Sequence, residues 1–209
     1  MPMGEAESDT LACLPLGVLL APVFRELENT DAIAVKPLRD AFTKAESLSP
    51  GLTEELVLGV LQRQAVNLDF PEVLLRMTRQ NLDDCSIKRP EPEFQDLNNK
   101  ARSLKLILSK IPDEMSDRTQ FLQTIKHTAS AIRELLDSVN LVFRKYPNQN
   151  NRRALENQKK EFVVHSKSFS DALKTYFKDG KSASVHESAS RLVYQTNAIL
   201  ETFKTVGTS

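Results

Sequence analysis

The chain has 209 residues, 40% of them apolar, with 28 basic and 28 acidic side chains and 6 glycines. That length can bury a real core, the apolar share excludes a disordered chain, and a glycine-poor, charge-rich composition is that of amphipathic helices. The neutral total hides a split: net −5 over residues 1–89 (9 basic, 14 acidic) and net +5 over residues 90–209 (19 and 14). The split implies two modules with different partners and excludes the strongly basic surface of a nucleic-acid binder.

Residues 1–10 are polar and read as a disordered tail. The apolar stretch from Leu11 to Phe24 follows Glu5, Glu7 and Asp9, contains Pro15 and Pro22, and is too short to span a bilayer. It therefore reads as a buried amphipathic helix, and a signal sequence is not expected. A first helix is expected over Leu14–Leu27 and a second over Ala34–Ala45. Ser49-Pro50-Gly51 is a turn, after which Thr53 is expected to cap a third helix, Leu56–Gln64, with Glu54 and Glu55 in the first turn. A fourth, Pro71–Arg79, starts on proline. Leu16, Leu19, Leu20, Val23 and Phe24 leave the first helix little polar face, and Leu56, Val57, Val60 and Leu61 do the same to the third. Helices so short and apolar rarely stand alone, so residues 11–82 are expected to form a dimerisation module.

Residues 83–92 hold Pro90 and Pro92 and read as a linker. Beyond it, over 93–209, apolar residues recur at heptad-like spacing. The first stripe is Phe94, Leu97, Ala101, Leu104, Leu108 and Ile111, expected to break at Pro112. The second is Leu122, Ile125, Ala129, Ile132, Leu136, Val139 and Phe143, stopping at Pro147. A third carries Leu155, Phe162, Phe169 and Tyr176 and ends at Asp179-Gly180. The fourth is Val185, Ala189, Leu192, Thr196, Ile199, Phe203 and Val206. Four stripes joined by short loops predict an all-α fold ending in an up-down-up-down four-helix bundle. Helices near 30 residues make it roughly 45 Å long, with extended grooves between helices.

Chemistry is hard to find. His127, His165 and His186 have no His or Cys at ligand spacing, so each reads as a satisfied or surface histidine, and no metal or cofactor is expected. No phosphate-binding glycine loop or nucleophile elbow exists. Asp83-Asp84 and Asp113-Glu114 read as helix-boundary acids. Cys13 and Cys85 fit neither a metal nor a redox spacing and are expected to be free thiols in a reducing compartment. The chain does not read as an enzyme.

One pattern does suggest recognition. Lys126, Ala129 and Arg133 on the second bundle helix, and Lys167, Ser170 and Lys174 on the third, each place two cations seven apart around a small residue. On antiparallel neighbours these would frame one groove, small residues on its floor and cations on its rim, suited to an acidic amphipathic helix. A second basic cluster, Arg152, Arg153, Lys159 and Lys160, is a candidate contact for anionic lipid headgroups such as phosphoinositides.

The strings Arg89–Asn98 (RPEPEFQDLN), Ile107–Glu114 (ILSKIPDE), Phe121–Lys126 (FLQTIK), Gln158–Val163 (QKKEFV), Ser166–Asp171 (SKSFSD) and Leu173–Lys181 (LKTYFKDGK) resemble the programmed cell death protein 10 family. This is also the family of the third cerebral cavernous malformation protein. Pro22-Val23-Phe24, Ala41-Phe42, Pro50–Thr53 and Leu74–Met77 extend the likeness, more loosely, into the first half. The resemblance implies a helical dimerisation domain followed by a four-helix bundle like the focal-adhesion-targeting domain. It implies a homodimer, or exchange of one copy for the tail of a class III germinal centre kinase, through Leu38, Ala41, Val60 and Leu61. It further implies that Lys126, Ala129, Arg133, Lys167, Ser170 and Lys174 bind leucine-aspartate-rich (LD) helices, as in paxillin and the second cavernous malformation protein. The bundle is also expected to dock on the striatin-phosphatase complex. The location implied is cytoplasmic, with peripheral Golgi and plasma-membrane association. Arg133 stands where the family has lysine, Val60 where it has isoleucine, and Pro37 falls early in the second helix.

Overall fold

The computed structural model describes residues 16–49, 51–83, 85–146 and 149–204. The tail at 1–10, Cys13, Pro50, Asp84, Pro147 and Val206 lie outside them. A single π turn, Leu16–Leu20, leads into α1 (Ala21–Leu48). Then come α2 (Leu52–Arg63), α3 (Phe70–Met77) with a 3-10 turn over Thr78–Asn81, α4 (Pro92–Glu114), α5 (Arg118–Lys145), α6 (Gln149–Asp179) and α7 (Ala183–Lys204). The described residues contain no strand, and none of their helices is long and apolar enough to cross a membrane.

α1 joins the two helices expected from sequence, and one residue marks the joint. Asp31 leaves helical geometry at φ −149°, ψ 84°, and its Oδ1 accepts from the N–H groups of Ile33 and Ala34 at 3.1 and 3.0 Å. Asp31 therefore ends one helical stretch and caps the next. Pro37 lies beyond the first turn after this cap, yet the helix continues through it. The carbonyl that loses its bond there belongs to Ile33, a residue 88% exposed, where solvent can stand in for the missing donor.

The start of α2 corrects the sequence reading. Its N-cap position is Gly51, at φ 94°, where a residue with a Cβ would be strained. Thr53 lies inside the helix, and its N–H and hydroxyl both donate to the buried carboxylate of Glu46 at 2.9 and 2.6 Å. Gly51 N–H donates to the other oxygen at 2.7 Å. The cap thus comes from the last turn of α1.

In the bundle, α4 buries Phe94, Leu97, Ala101, Leu104, Leu108 and Ile111 completely. The predicted break at Pro112 does not occur. The helix runs on to Glu114, because a proline two residues from the end forfeits only one helical bond. Asp113 and Glu114 consequently sit at a C-terminus, where the dipole disfavours them. Arg76 and Arg79 pair with Asp113, tying α3 to α4, and Thr124 donates to Glu114. Asp83 pairs with Arg102 at 3.0 Å.

Cross-links fix the antiparallel register of α4 and α5: Lys145 with Glu93, Ser138 with Asp96 at 2.8 Å, and Lys100 with Glu134 at 2.7 Å. Backbones approach closely along α4/α5, α6/α7 and α4/α7, while the α5/α6 seam is looser. α3, read from sequence as the last helix of the first module, packs on α4 and α7, and its Leu74 and Leu75 enter the bundle core. Asn81 donates to the Val18 carbonyl at 3.3 Å, which docks the chain's first described turn there as well.

Candidate binding surfaces

The loose α5/α6 seam opens as a groove of about 470 Å³, lined by Ile132, Leu136, Val163, Ser166, Lys167, Ser170, Asp171 and Lys174. Its origin lies in the register of α5. Apart from Val139, which is buried as expected, the second sequence stripe is set one residue off the buried face: Leu122 and Ala129 are exposed, and Ile125, Ile132, Leu136 and Phe143 are only half-buried. The face that is buried carries Phe121, Thr124, Thr128, Ala131, Leu135, Ser138, Val139 and Val142. Its hydroxyls are satisfied inside the fold, Thr128 donating to the Thr124 carbonyl at 2.8 Å, Thr124 to Glu114 and Ser138 to Asp96, so three polar residues occupy core positions. α5 therefore has an apolar edge beyond its core face, and that edge floors the groove.

Of the six residues predicted for this site, Lys167, Ser170 and Lys174 line it directly. Lys126, Ala129 and Arg133 are exposed on α5 outside the lining, with Arg133 next to Ile132 in sequence. Ile132, Leu136 and Val163, the apolar floor, escaped the sequence pattern because it assigned the first two to the core. Asp171 was also missed. It holds Lys174 in an exposed ion pair at 2.7 Å, so one rim cation already has a partner.

The N-terminal elements hold most of the large apolar side chains left uncovered. Ile33 is 88% exposed, Leu48 77% and Val60 54%, and Val23, Leu38, Leu56 and Val66 are also exposed. Ala41 is exposed too, whereas Leu61 is half-buried and packs against the core. Uncovered apolar side chains in this number are characteristic of an association face.

The basic cluster at the start of α6 is partly committed within the chain. Arg152 pairs with Glu156 at 3.1 Å and lies over the Phe143 ring, and Lys159 donates to Asn140. Arg153 and Lys160 are exposed. Cys85 is a free, half-buried thiol, pushed up to about 12 by burial and then by a hydrogen bond to Glu201. Of the histidines, His127 is exposed and His165 is buried with partners. His186 departs from the expected satisfied state, being buried with neither ring nitrogen hydrogen-bonded.

Comparison with known proteins agrees with this architecture. Residues 8–67 match the dimerisation domain of programmed cell death protein 10, and residues 68–156 match its C-terminal domain. A programmed cell death protein 10 homolog of Caenorhabditis elegans is 34% identical over 205 residues, covering 94% of this chain and 95% of its own length. With both of the family's domain models matched, over residues 8–156, and a relative aligned almost end to end, the chain belongs to the programmed cell death protein 10 family.

Proposed function

We propose that the chain is a non-enzymatic adaptor. Its bundle captures acidic, leucine-rich LD helices in the α5/α6 groove, and its N-terminal module pairs with a second copy or with the tail of a class III germinal centre kinase. The observation that carries the reading is the groove itself. An apolar floor of Ile132, Leu136 and Val163 runs beside the ammonium groups of Lys167 and Lys174, a pairing suited to leucines facing down and carboxylates facing out. Lys126 and Arg133 would supply the opposite rim. Exposed ion pairs contribute only about 0–1 kcal/mol each, so apolar burial sets affinity and the cations set orientation and partner choice. Binding is modest and weakens as salt screens the rim.

The same surfaces would connect kinase, striatin-phosphatase, paxillin and second cavernous malformation protein complexes at cytoplasmic, Golgi and plasma-membrane sites. Calorimetry with an LD peptide tests the groove. Lys167→Glu with Lys174→Glu should weaken binding at least tenfold while leaving helicity and dimerisation intact, and Lys126→Glu with Arg133→Glu tests the other rim. Unchanged peptide affinity in both double variants would overturn the assignment. On the N-terminal face, Leu38→Asp with Val60→Asp should abolish self-association in sedimentation.

A further inference from the structure

The strongest unexplained feature lies away from both surfaces, where α3 meets α7. His186, in the first turn of α7, is 2% exposed, and neither Nδ1 nor Nε2 has a hydrogen-bond partner. A buried imidazole without partners costs free energy, so the site calls for something that engages it. Its Nδ1 faces Asp69 Oδ2 at 3.5 Å, and a Glu72 carboxylate oxygen completes a group whose ligand atoms all lie within 4.8 Å of one another.

We propose that Asp69, Glu72 and His186 form a site for a borderline divalent transition metal, with zinc the leading candidate, that pins α3 to α7. The donor set fits: one imidazole nitrogen and two carboxylate oxygens are ligands zinc accepts, with water able to fill the fourth position. Each residue has a donor atom to spare. Asp69 uses Oδ1 to cap α3 by accepting from Glu72 N–H at 3.2 Å, which leaves Oδ2. Glu72 receives Arg76 on Oε1 at 2.8 and 3.0 Å, which leaves Oε2. Four-coordinate zinc with bonds of about 2.0–2.2 Å holds its ligands roughly 3.3–3.6 Å apart, so donor atoms that lie within 4.8 Å of one another must draw together by up to about an ångström, a movement that rotation of the partly exposed Glu72 can supply.

The local field also suits a cation. The two helix starts oppose one with about half a positive charge each. Against them stand the two ligand carboxylates and Glu187, next to His186 in sequence, with Arg76 paired to Glu72 and Arg191 to Glu187, which leaves Asp69 without a cation of its own among the described ion pairs other than His186 itself. Among the described residues nothing accepts from Nε2, so the ring lacks the hydrogen bond that usually raises a ligand histidine's affinity. Affinity is therefore expected to fall about 10–100-fold below that of a site with its outer hydrogen bonds complete. Because the ligands come from residues 69, 72 and 186, bound metal would hold α3 against the bundle and steady the N-terminal module.

The test uses the full chain, stripped with chelator and titrated with zinc chloride by calorimetry, with cobalt as a spectroscopic stand-in. One metal per chain is expected, together with a rise in Tm of roughly 5–10 °C at a hundredfold excess over Kd. His186→Phe, which keeps the volume of the ring, should weaken binding at least ~100-fold, since outer hydrogen bonds alone are worth 10–100-fold. Glu72→Gln, a change at a partly exposed site that spares the core, should weaken it as well. His127→Asn, on the exposed face of α5, should leave it unchanged. No saturable binding, or binding indifferent to His186→Phe and Glu72→Gln, would overturn the proposal.

Discussion

Replacing Glu46 with glutamine alters a carboxyl group that is 1% exposed, and it is the most direct test of how the N-terminal module is held. Oε1 accepts from Gly51 N–H, while Oε2 accepts from both the N–H and the hydroxyl of Thr53. A glutamine amide accepts through one oxygen only. Whichever way it faces, its NH2 group meets one of the two backbone N–H groups, although the Thr53 hydroxyl can turn to accept. A buried donor left unpaired costs about 1–3 kcal/mol. Losing a negative charge at the start of α2 adds about 0.3–1 kcal/mol. The expected loss is therefore about 1.3–4 kcal/mol, or roughly 3–16 °C in Tm for a chain of this size. Urea unfolding of the single variants and of Glu46→Gln with Thr53→Val closes a double-mutant cycle, in which a coupling above ~0.5 kcal/mol is expected for groups in contact. The loop also sets the angle between α1, which carries Leu38 and Ala41, and α2, which carries Val60 and Leu61. Self-association should therefore weaken along with stability. A Glu46→Gln variant within ~0.5 kcal/mol of the parent, with no coupling to Thr53, would refute the reasoning.

Two further outcomes follow from particular contacts. Asp171→Asn frees Lys174 and removes a like charge facing an acidic ligand, so LD-peptide affinity should rise a few-fold at low salt and converge with the parent at high salt; a weakened complex would contradict the groove. Cys85 has its folded pKa raised, chiefly by burial, from 9.0 to about 12. The neutral thiol is the favoured form, so the associated stability is whole below about pH 9 and is lost as pH rises toward 12. In a Cys13→Ser background, native Cys85 should react with a disulfide reagent at pH 8 far more slowly than after denaturation, and equal rates would show that the thiol is not protected.

How far the structure can be read from the sequence depends on where polar residues stand. The apolar face of α4, whose six stripe positions are all fully buried, is legible, although the helix's run past Pro112 is not. α5 is not, because Thr124, Thr128 and Ser138 fill core positions with hydroxyls bonded inside the fold, and a count of apolar residues slides to the neighbouring edge. A shift of one residue turns a helix by about 100°, enough to exchange core for groove. That error is informative. A helix with more apolar residues than its core can absorb must place the surplus at the surface, and on α5 the surplus is Ile132 and Leu136. The donor group proposed at His186 is hidden from local spacing for a different reason. Ligand spacing within one helical turn involves neighbours in sequence, whereas the buried imidazole of His186 lies beside Asp69 and Glu72 from more than a hundred residues away. Local spacing reports only what one element can assemble. Where two modules are joined across a helix such as α3, the groups that decide the joint come from both, and only packing brings them together.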